Sequence, residues 1–147
     1  MINEFRVNSK IKIGNDNPCF IIAEAGVNHD GSVSKAKELV DVAVEAKANA
    51  VKFQMFKTDE YASDDAFLAN YHKKGLIKKN ENLKSLLRRL ELSESQYLDV
   101  FEYAKKKNIF IFSTAFDIPN AKFLFDLGMK LIKVASFSLT NYRLIKY

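Results

Sequence analysis

Cys19-Phe20-Ile21-Ile22-Ala23-Glu24-Ala25-Gly26 is a continuous apolar run closed by a carboxylate, an alanine and a glycine. A half-exposed strand alternates apolar and polar residues, whereas a strand covered on both faces stays apolar throughout. Cys19 to Ala23 therefore reads as the first strand of a parallel sheet. Upstream, Arg6 to Ile13 does alternate, and Gly14-Asn15-Asp16-Asn17-Pro18 is dense in turn formers, which predicts a short lead-in hairpin. Downstream, Asp30-Gly31-Ser32 offers helix caps. A helix to about Lys47 follows, with Ala36, Leu39, Val40, Ala43 and Ala46 along its apolar face.

The same alternation of strand and helix recurs. Ala50-Val51-Lys52-Phe53-Gln54 reads as a second strand, Ile109 to Phe112 as a third ending in Ser113-Thr114, and Leu131 to Ser136 as a fourth. Between the second and third, residues 55–92 form a long excursion with a short helix around Leu83 to Leu90; such insertions are usually functional. Ser93 and Gln96 have capping-box spacing, Leu92 and Tyr97 suit a hydrophobic staple, and Tyr97, Val100, Phe101 and Ala104 supply the buried stripe. A further helix starts near Asp117, tolerates Pro119 in its first turn and stops at Gly128. Thr140 to Tyr147 opens a last one. Strands alternating with helices imply an α/β protein with a parallel sheet. No glycine-rich dinucleotide fingerprint follows the first strand, which counts against a Rossmann arrangement.

The 147 residues are 48% hydrophobic and 28% charged, enough for one domain with a sizeable core and without the signature of disorder. The one cysteine precludes an internal disulfide framework and fits a reducing compartment. With no signal-peptide pattern and no long apolar run, a soluble cytoplasmic protein is expected. The net charge of +5 comes from clusters such as Lys73-Lys74, Lys78-Lys79, Arg88-Arg89 and Lys105-Lys106-Lys107. The last closes a helix, where cations offset the dipole, and the others read as solvated surface. No zinc-ligand spacing or other nucleic-acid motif accompanies them, so nucleic acid is not an expected partner.

Parallel α/β folds gather their chemistry at the carboxyl ends of the strands. Those ends carry Glu24, then Lys52 and Gln54, then Ser113 or Thr114, then Lys133 and Ser136. Two lysines inside apolar strands are unusual, because an unpaired buried ammonium is expensive. An ion pair with Glu24 accounts for one lysine and leaves the other. An anionic ligand, a phosphate or carboxylate, accounts for both, with Thr114 and Ser136 as hydrogen-bond donors. Glu24 is placed to act as a general acid or base. The residues by themselves thus describe an anion-binding α/β site.

Phe20-Ile21-Ile22-Ala23-Glu24-Ala25-Gly26-Val27-Asn28-His29-Asp30-Gly31 closely resembles the first-strand signature of the N-acetylneuraminate (sialic acid) synthase family, which includes pseudaminate, legionaminate and spore-coat polysaccharide synthases. Val51-Lys52-Phe53-Gln54, Phe112-Ser113-Thr114-Ala115-Phe116-Asp117 and Lys133-Val134-Ala135-Ser136 resemble its next blocks, in order. The resemblance implies the N-terminal half of a (β/α)8 TIM barrel. Residues 1–147 would be a partial barrel domain, without the second half of the barrel or a C-terminal antifreeze-like domain. It also implies a synthase that joins phosphoenolpyruvate to an open-chain N-acetylated amino sugar and releases phosphate, and a homodimer at full length. By family position Lys52, Thr114, Lys133 and Ser136 would hold phosphoenolpyruvate, Gln54 would bind substrate, and Glu24 would be the acid/base group. A divalent metal (Mn or Mg) would activate the sugar aldehyde, with its histidine ligands beyond Tyr147 and none in this chain.

Two positions depart from the family pattern. Ser138 stands where a sugar-binding glutamate is common, and Ala115 where a proline is common. His29 has no second histidine at ligand spacing and reads as a supporting group in its turn; His72 reads as solvent-facing. Two other readings fit the residues. One is a non-catalytic half-barrel that binds phosphorylated ligands or assembles with a complementary half. The other is an aldolase-like half-barrel in which Lys52 or Lys133 forms a Schiff base.

Overall fold

The computed structural model describes residues 4–8, 11–14, 16–63 and 82–147. His72 and the lysine pairs at 73–74 and 78–79 lie outside the described residues. The predicted hairpin is present: β1 (Glu4–Arg6) pairs antiparallel with β2 (Lys12–Gly14). The main sheet is parallel, built from β3 (Ile22–Gly26), β4 (Ala50–Met55), β5 (Phe110–Ala115) and β6 (Ile132–Lys133).

The order β3-β4-β5-β6 follows the chain, so each strand pairs with the one before it. Right-handed crossovers that always step the same way lay their helices on the same face of the sheet. That is the winding of a barrel; a doubly wound sheet reverses direction partway and carries helices on both faces.

The helices of that outer face are α1 (Val33–Glu45), α4 (Glu94–Lys106) and α5 (Ile118–Asp126). Each begins on a residue whose side chain caps the exposed amides: Ser32 accepts from Lys35 N, Ser93 from Gln96 N, and Asp117 from Asn120 N. In α4 the box is complete, because Gln96 Oε1 accepts from Ser93 N at 2.9 Å. Ala36, Val40 and Ala43 of α1, Tyr97, Val100, Phe101 and Ala104 of α4, and Leu124 of α5 form one core with Val51, Phe53 and Met55 of β4. Fully burying side chains such as Val40, Val51, Val100 and Leu124 contributes about 1.5–3 kcal/mol each. Ala46, expected on the buried face of α1, is the C-cap and is exposed.

Two strands differ from the sequence reading. The ladder of β3 starts at Ile22, where it meets Ala50, so Cys19 to Ile21 precede it. Ile21 and Ile22 are exposed, because β3 has a partner on one side only among the described residues. The fourth strand, expected over Leu131 to Ser136, shrinks to Ile132–Lys133, and Ser136 opens a 3-10 helix (Ser136–Thr140). That turn leads into α6 (Tyr142–Lys146).

Between β4 and α4 stand α2 (Thr58–Tyr61) and α3 (Leu83–Leu90), the latter on the predicted residues. Asn82 and Ser85 cap α3 reciprocally, and Leu86 and Leu90 bury against Phe56 in a second apolar cluster. Polar contacts fix α3 and its C-terminal flank: Arg89 pairs with Asp30, Arg88 and Lys84 with Asp59, and Glu91 Oε2 accepts from Thr58 N at 2.9 Å. The fit is closest at Gly31, whose φ is +74°; a Cβ there would collide with the Arg89 carbonyl.

Candidate functional site

Strand register decides which side chains share the face away from the outer helices. Side chains alternate across a strand, so Val51, Phe53 and Met55 point to the core while Lys52 and Gln54 point the other way. Glu24 pairs with Lys52 in register, and Gln54 with Thr114, which in turn pairs with Lys133. All five, with Ser136, line a single cleft of about 660 Å³ at the carboxyl ends of the strands.

Lys52 is its buried centre at 6% exposure, and Thr114 beside it is 2% exposed. The Lys52 ammonium lies 2.6 Å from Glu24 Oε2, and donates to Glu24 Oε1 at 2.9 Å and to Thr114 Oγ1 at 3.2 Å. Glu24 itself is half-exposed, so its carboxylate holds the lysine while facing the cleft. The β3–β4 ladder shifts register between Glu24 and Gly26, the kind of irregularity that re-aims side chains at strand ends. A Cβ on Gly26 would lie 3.3 Å from Glu24 Oε1 and 3.4 Å from Gln54 Nε2, so both side chains converge over that bare position.

Lys133 corrects the sequence reading. It was expected as a second buried cation, but it is exposed, with Nζ donating to the Val134 carbonyl at 3.2 Å. Among the described residues β6 is two residues long and has a ladder on one side only, which leaves the side chain open to solvent. The Glu24 ion pair does account for Lys52, and among the described residues Lys133 makes no ion pair. The cleft therefore keeps one positive charge in excess among its described side chains, and that charge is open to solvent. Ser113 points to the core and is fully buried. Ser138 is buried in the 3-10 turn and is not among the lining residues.

His29 sits outside the cleft lining at 1% exposure, its ring 6.1 Å from that of Phe53. Gly31 N donates to its Nδ1 at 3.1 Å, so the proton of the neutral ring is on Nε2. Burial lowers its pKa from 6.5 to about 4, against a smaller upward pull from Asp30. Among the described residues no group of three or more His, Cys, Asp or Glu side chains could hold a metal ion. The divalent cation implied by the family resemblance thus meets no ligand set among the described residues. No helix among the described residues is long and apolar enough to cross a membrane.

The rest of the lining escaped the sequence reading. Leu83, Leu86, Leu87 and Leu90 of α3 form one wall with Val27, Phe56, Tyr61, Phe116 and Phe137. Their spacing at i, i+3, i+4 and i+7 announced one apolar face on that helix. Nothing in the sequence said that the face would look onto the strand ends.

A singly wound parallel sheet with its polar groups gathered at the carboxyl ends has the architecture of (β/α)8-barrel proteins. The chain belongs to the NeuB family, whose sequence profile matches residues 39–147. Over 136 residues it is 40% identical to the N,N'-diacetyllegionaminic acid synthase of Legionella pneumophila, covering 92% of this chain and 38% of that protein. It is 36% identical over 143 residues to the spore coat polysaccharide biosynthesis protein SpsE of Bacillus subtilis, covering 97% of this chain and 37% of that one. The crystal structure of the N-acetylneuraminic acid (sialic acid) synthetase from Leptospira borgpetersenii in complex with citrate matches with a TM-score of 0.78 at 36% identity. The match covers 97% of this chain and 45% of that one. The fold is thus the N-terminal part of a (β/α)8 barrel. The chain spans under two-fifths of the length of these curated relatives, which include sialic-acid-type synthases.

Proposed function

We propose that this chain is the part of a nonulosonic-acid synthase that binds phosphoenolpyruvate and carries the acid/base carboxylate. The reaction condenses phosphoenolpyruvate with an N-acetylated amino sugar. The Glu24–Lys52–Thr114 network, placed in one cleft with Lys133 and Ser136, carries the reading. Lys133, accessible and free of a carboxylate partner among the described residues, attracts the phosphate or carboxylate of the ligand. Lys52 adds a charge fixed by two partners, and the hydroxyls of Thr114 and Ser136 donate to the same oxygens. Such preset donors stabilise charge without reorganising during the reaction.

Carbon 3 of phosphoenolpyruvate forms the new bond to the sugar aldehyde carbon, whose oxygen gains a proton. Water then adds at carbon 2 and gives up a proton. The tetrahedral intermediate breaks its carbon–oxygen bond to phosphate, leaving a 2-keto acid. Glu24, half-exposed and facing the cleft, is the group that takes or returns these protons. The Schiff-base reading is less favoured, because the buried Lys52 Nζ is already engaged by Glu24 and Thr114 and would have to leave both to attack a carbonyl.

A thermal melt tests the site. Phosphoenolpyruvate is expected to raise the melting temperature, and Lys133→Ala to abolish the shift. No shift in a folded sample would overturn the reading. Borohydride trapping of a pyruvate adduct on either lysine would favour the Schiff base instead.

A further inference from the structure

His29 is buried at 1% exposure and takes no part in lining the cleft. Its ring faces Phe53, yet Nε2 has no hydrogen-bond partner among the described residues. A leucine would fill the same space without desolvating a polar atom, so filling is not what the imidazole supplies. What a leucine lacks is an acceptor, and Nδ1 accepts from Gly31 N at 3.1 Å.

That bond closes a turn which runs from the end of β3 to the cap of α1. Asn28 N donates to the Ala25 carbonyl, Asp30 N to that of Val27 and Ser32 N to that of His29, at 3.0, 3.0 and 2.9 Å. Asp30 and Gly31 follow His29 at φ of 52° and 74°. A residue with a side chain enters that left-handed region at a cost and stays there where surrounding contacts enforce it. So folded, the turn places Val27 in the cleft lining, the Asp30 carboxylate on Arg89 and Gly31 against the Arg89 carbonyl. Arg89 lies on α3, whose Leu83 and Leu87 also line the cleft. Phe53, which the imidazole meets, is the β4 residue between Lys52 and Gln54. The ring therefore joins the turn after β3, and α3 with it, to the strand that carries the buried ammonium of the cleft.

Resting on the synthase reading, we propose that His29 is a positioning residue for the anion cleft. Its Nδ1 acceptor holds the turn after β3, and through it Val27 and α3, in the arrangement that receives phosphoenolpyruvate. It acts through the turn and touches no ligand.

Two substitutions in the full chain separate the acceptor from the volume. His29→Leu fills the site and removes the acceptor. His29→Asn fills it poorly, but its Oδ1 can accept from the amide two residues on. His29→Leu is expected to be the more stable of the two in urea. In calorimetric titration it should nevertheless bind phosphoenolpyruvate about fivefold or more weakly than the parent, the scale of one hydrogen bond. His29→Asn, with the acceptor retained, should stay within about twofold of the parent. Hydrogen exchange should quicken at Gly31 and the α3 amides in the leucine variant alone. Affinity that follows stability, or two variants that bind like the parent, would overturn the positioning role and spare the anion site. A parent that binds no phosphoenolpyruvate would overturn the synthase reading instead, and the exchange pattern then decides for or against His29. Nitrogen NMR of the parent imidazole at neutral pH needs no variant. It should show the proton on Nε2, and a proton on Nδ1 would refute the proposal.

Discussion

Lys52 and Glu24 are register partners on adjacent parallel strands, and their side chains meet at 2.6 Å with the lysine buried and the glutamate half in solvent. The asymmetry sets what each contributes. Removing the glutamate strands a buried ammonium, whereas removing the lysine releases a carboxylate into water. Glu24→Ala is therefore expected to cost about 1–2 kcal/mol, below the usual figure for a buried pair because water reaches the site. Lys52→Met, similar in volume, should cost less than about 1.5 kcal/mol yet weaken phosphoenolpyruvate binding at least about tenfold. Urea unfolding and calorimetric titration of the two variants check the contrast.

Gly31 predicts a steric defect at a distance from the strand ends. Its left-handed φ and the adjoining Arg89 carbonyl leave no space for a methyl group. Gly31→Ala should destabilise by more than about 1 kcal/mol and loosen α3. Hydrogen exchange should show faster exchange at the α3 amides, with those of α1 and α4 retained. Equal protection throughout would refute the clamp.

His29 predicts a pH dependence. Its folded pKa of about 4 lies below the ordinary 6.5, so between these values the unfolded chain binds more protons. The stability gained from a neutral, buried ring is complete above pH 6.5 and falls as the pH drops towards 4. At about pH 5 the loss is on the order of 2 kcal/mol. His29→Asn should flatten the slope between about pH 7 and pH 5 in urea-unfolding series. A slope unchanged from the parent would assign it to other groups.

The capping box of α4 predicts a smaller, local effect. Ser93→Ala removes the acceptor for Gln96 N and should lower stability by about 1 kcal/mol. Ser93→Gly should recover most of it, which thermal melts of the pair will show.

How far the fold was legible follows from which force wrote each signal. Helices α1, α3, α4 and α5 were readable because their caps and apolar spacing are local features. The start of β3 was not, because Cys19 to Ile21 are as apolar as the strand itself and only pairing with Ala50 defines its first residue. Burial of Lys133 was inferred from apolar neighbours, but burial depends on how much sheet surrounds a strand, and β6 pairs over two residues. That Glu24, Lys52 and Thr114 would meet at one end of the sheet was legible because polar groups in apolar strands are costly and so conspicuous. The apolar wall was not, since a leucine stripe looks the same whether it meets a core or a ligand.

The strand order of the sheet has a last consequence. Glu24, Lys52, Thr114 and Lys133 come one from each of four strands, and each reaches the cleft only through correct pairing with its neighbour. A slip of one residue in β4 would offer Phe53 where Lys52 belongs and press the ammonium into the helices. On the proposed reading, loss of anion binding would report mispairing anywhere in the sheet, since a mispaired chain forfeits the cleft along with its core.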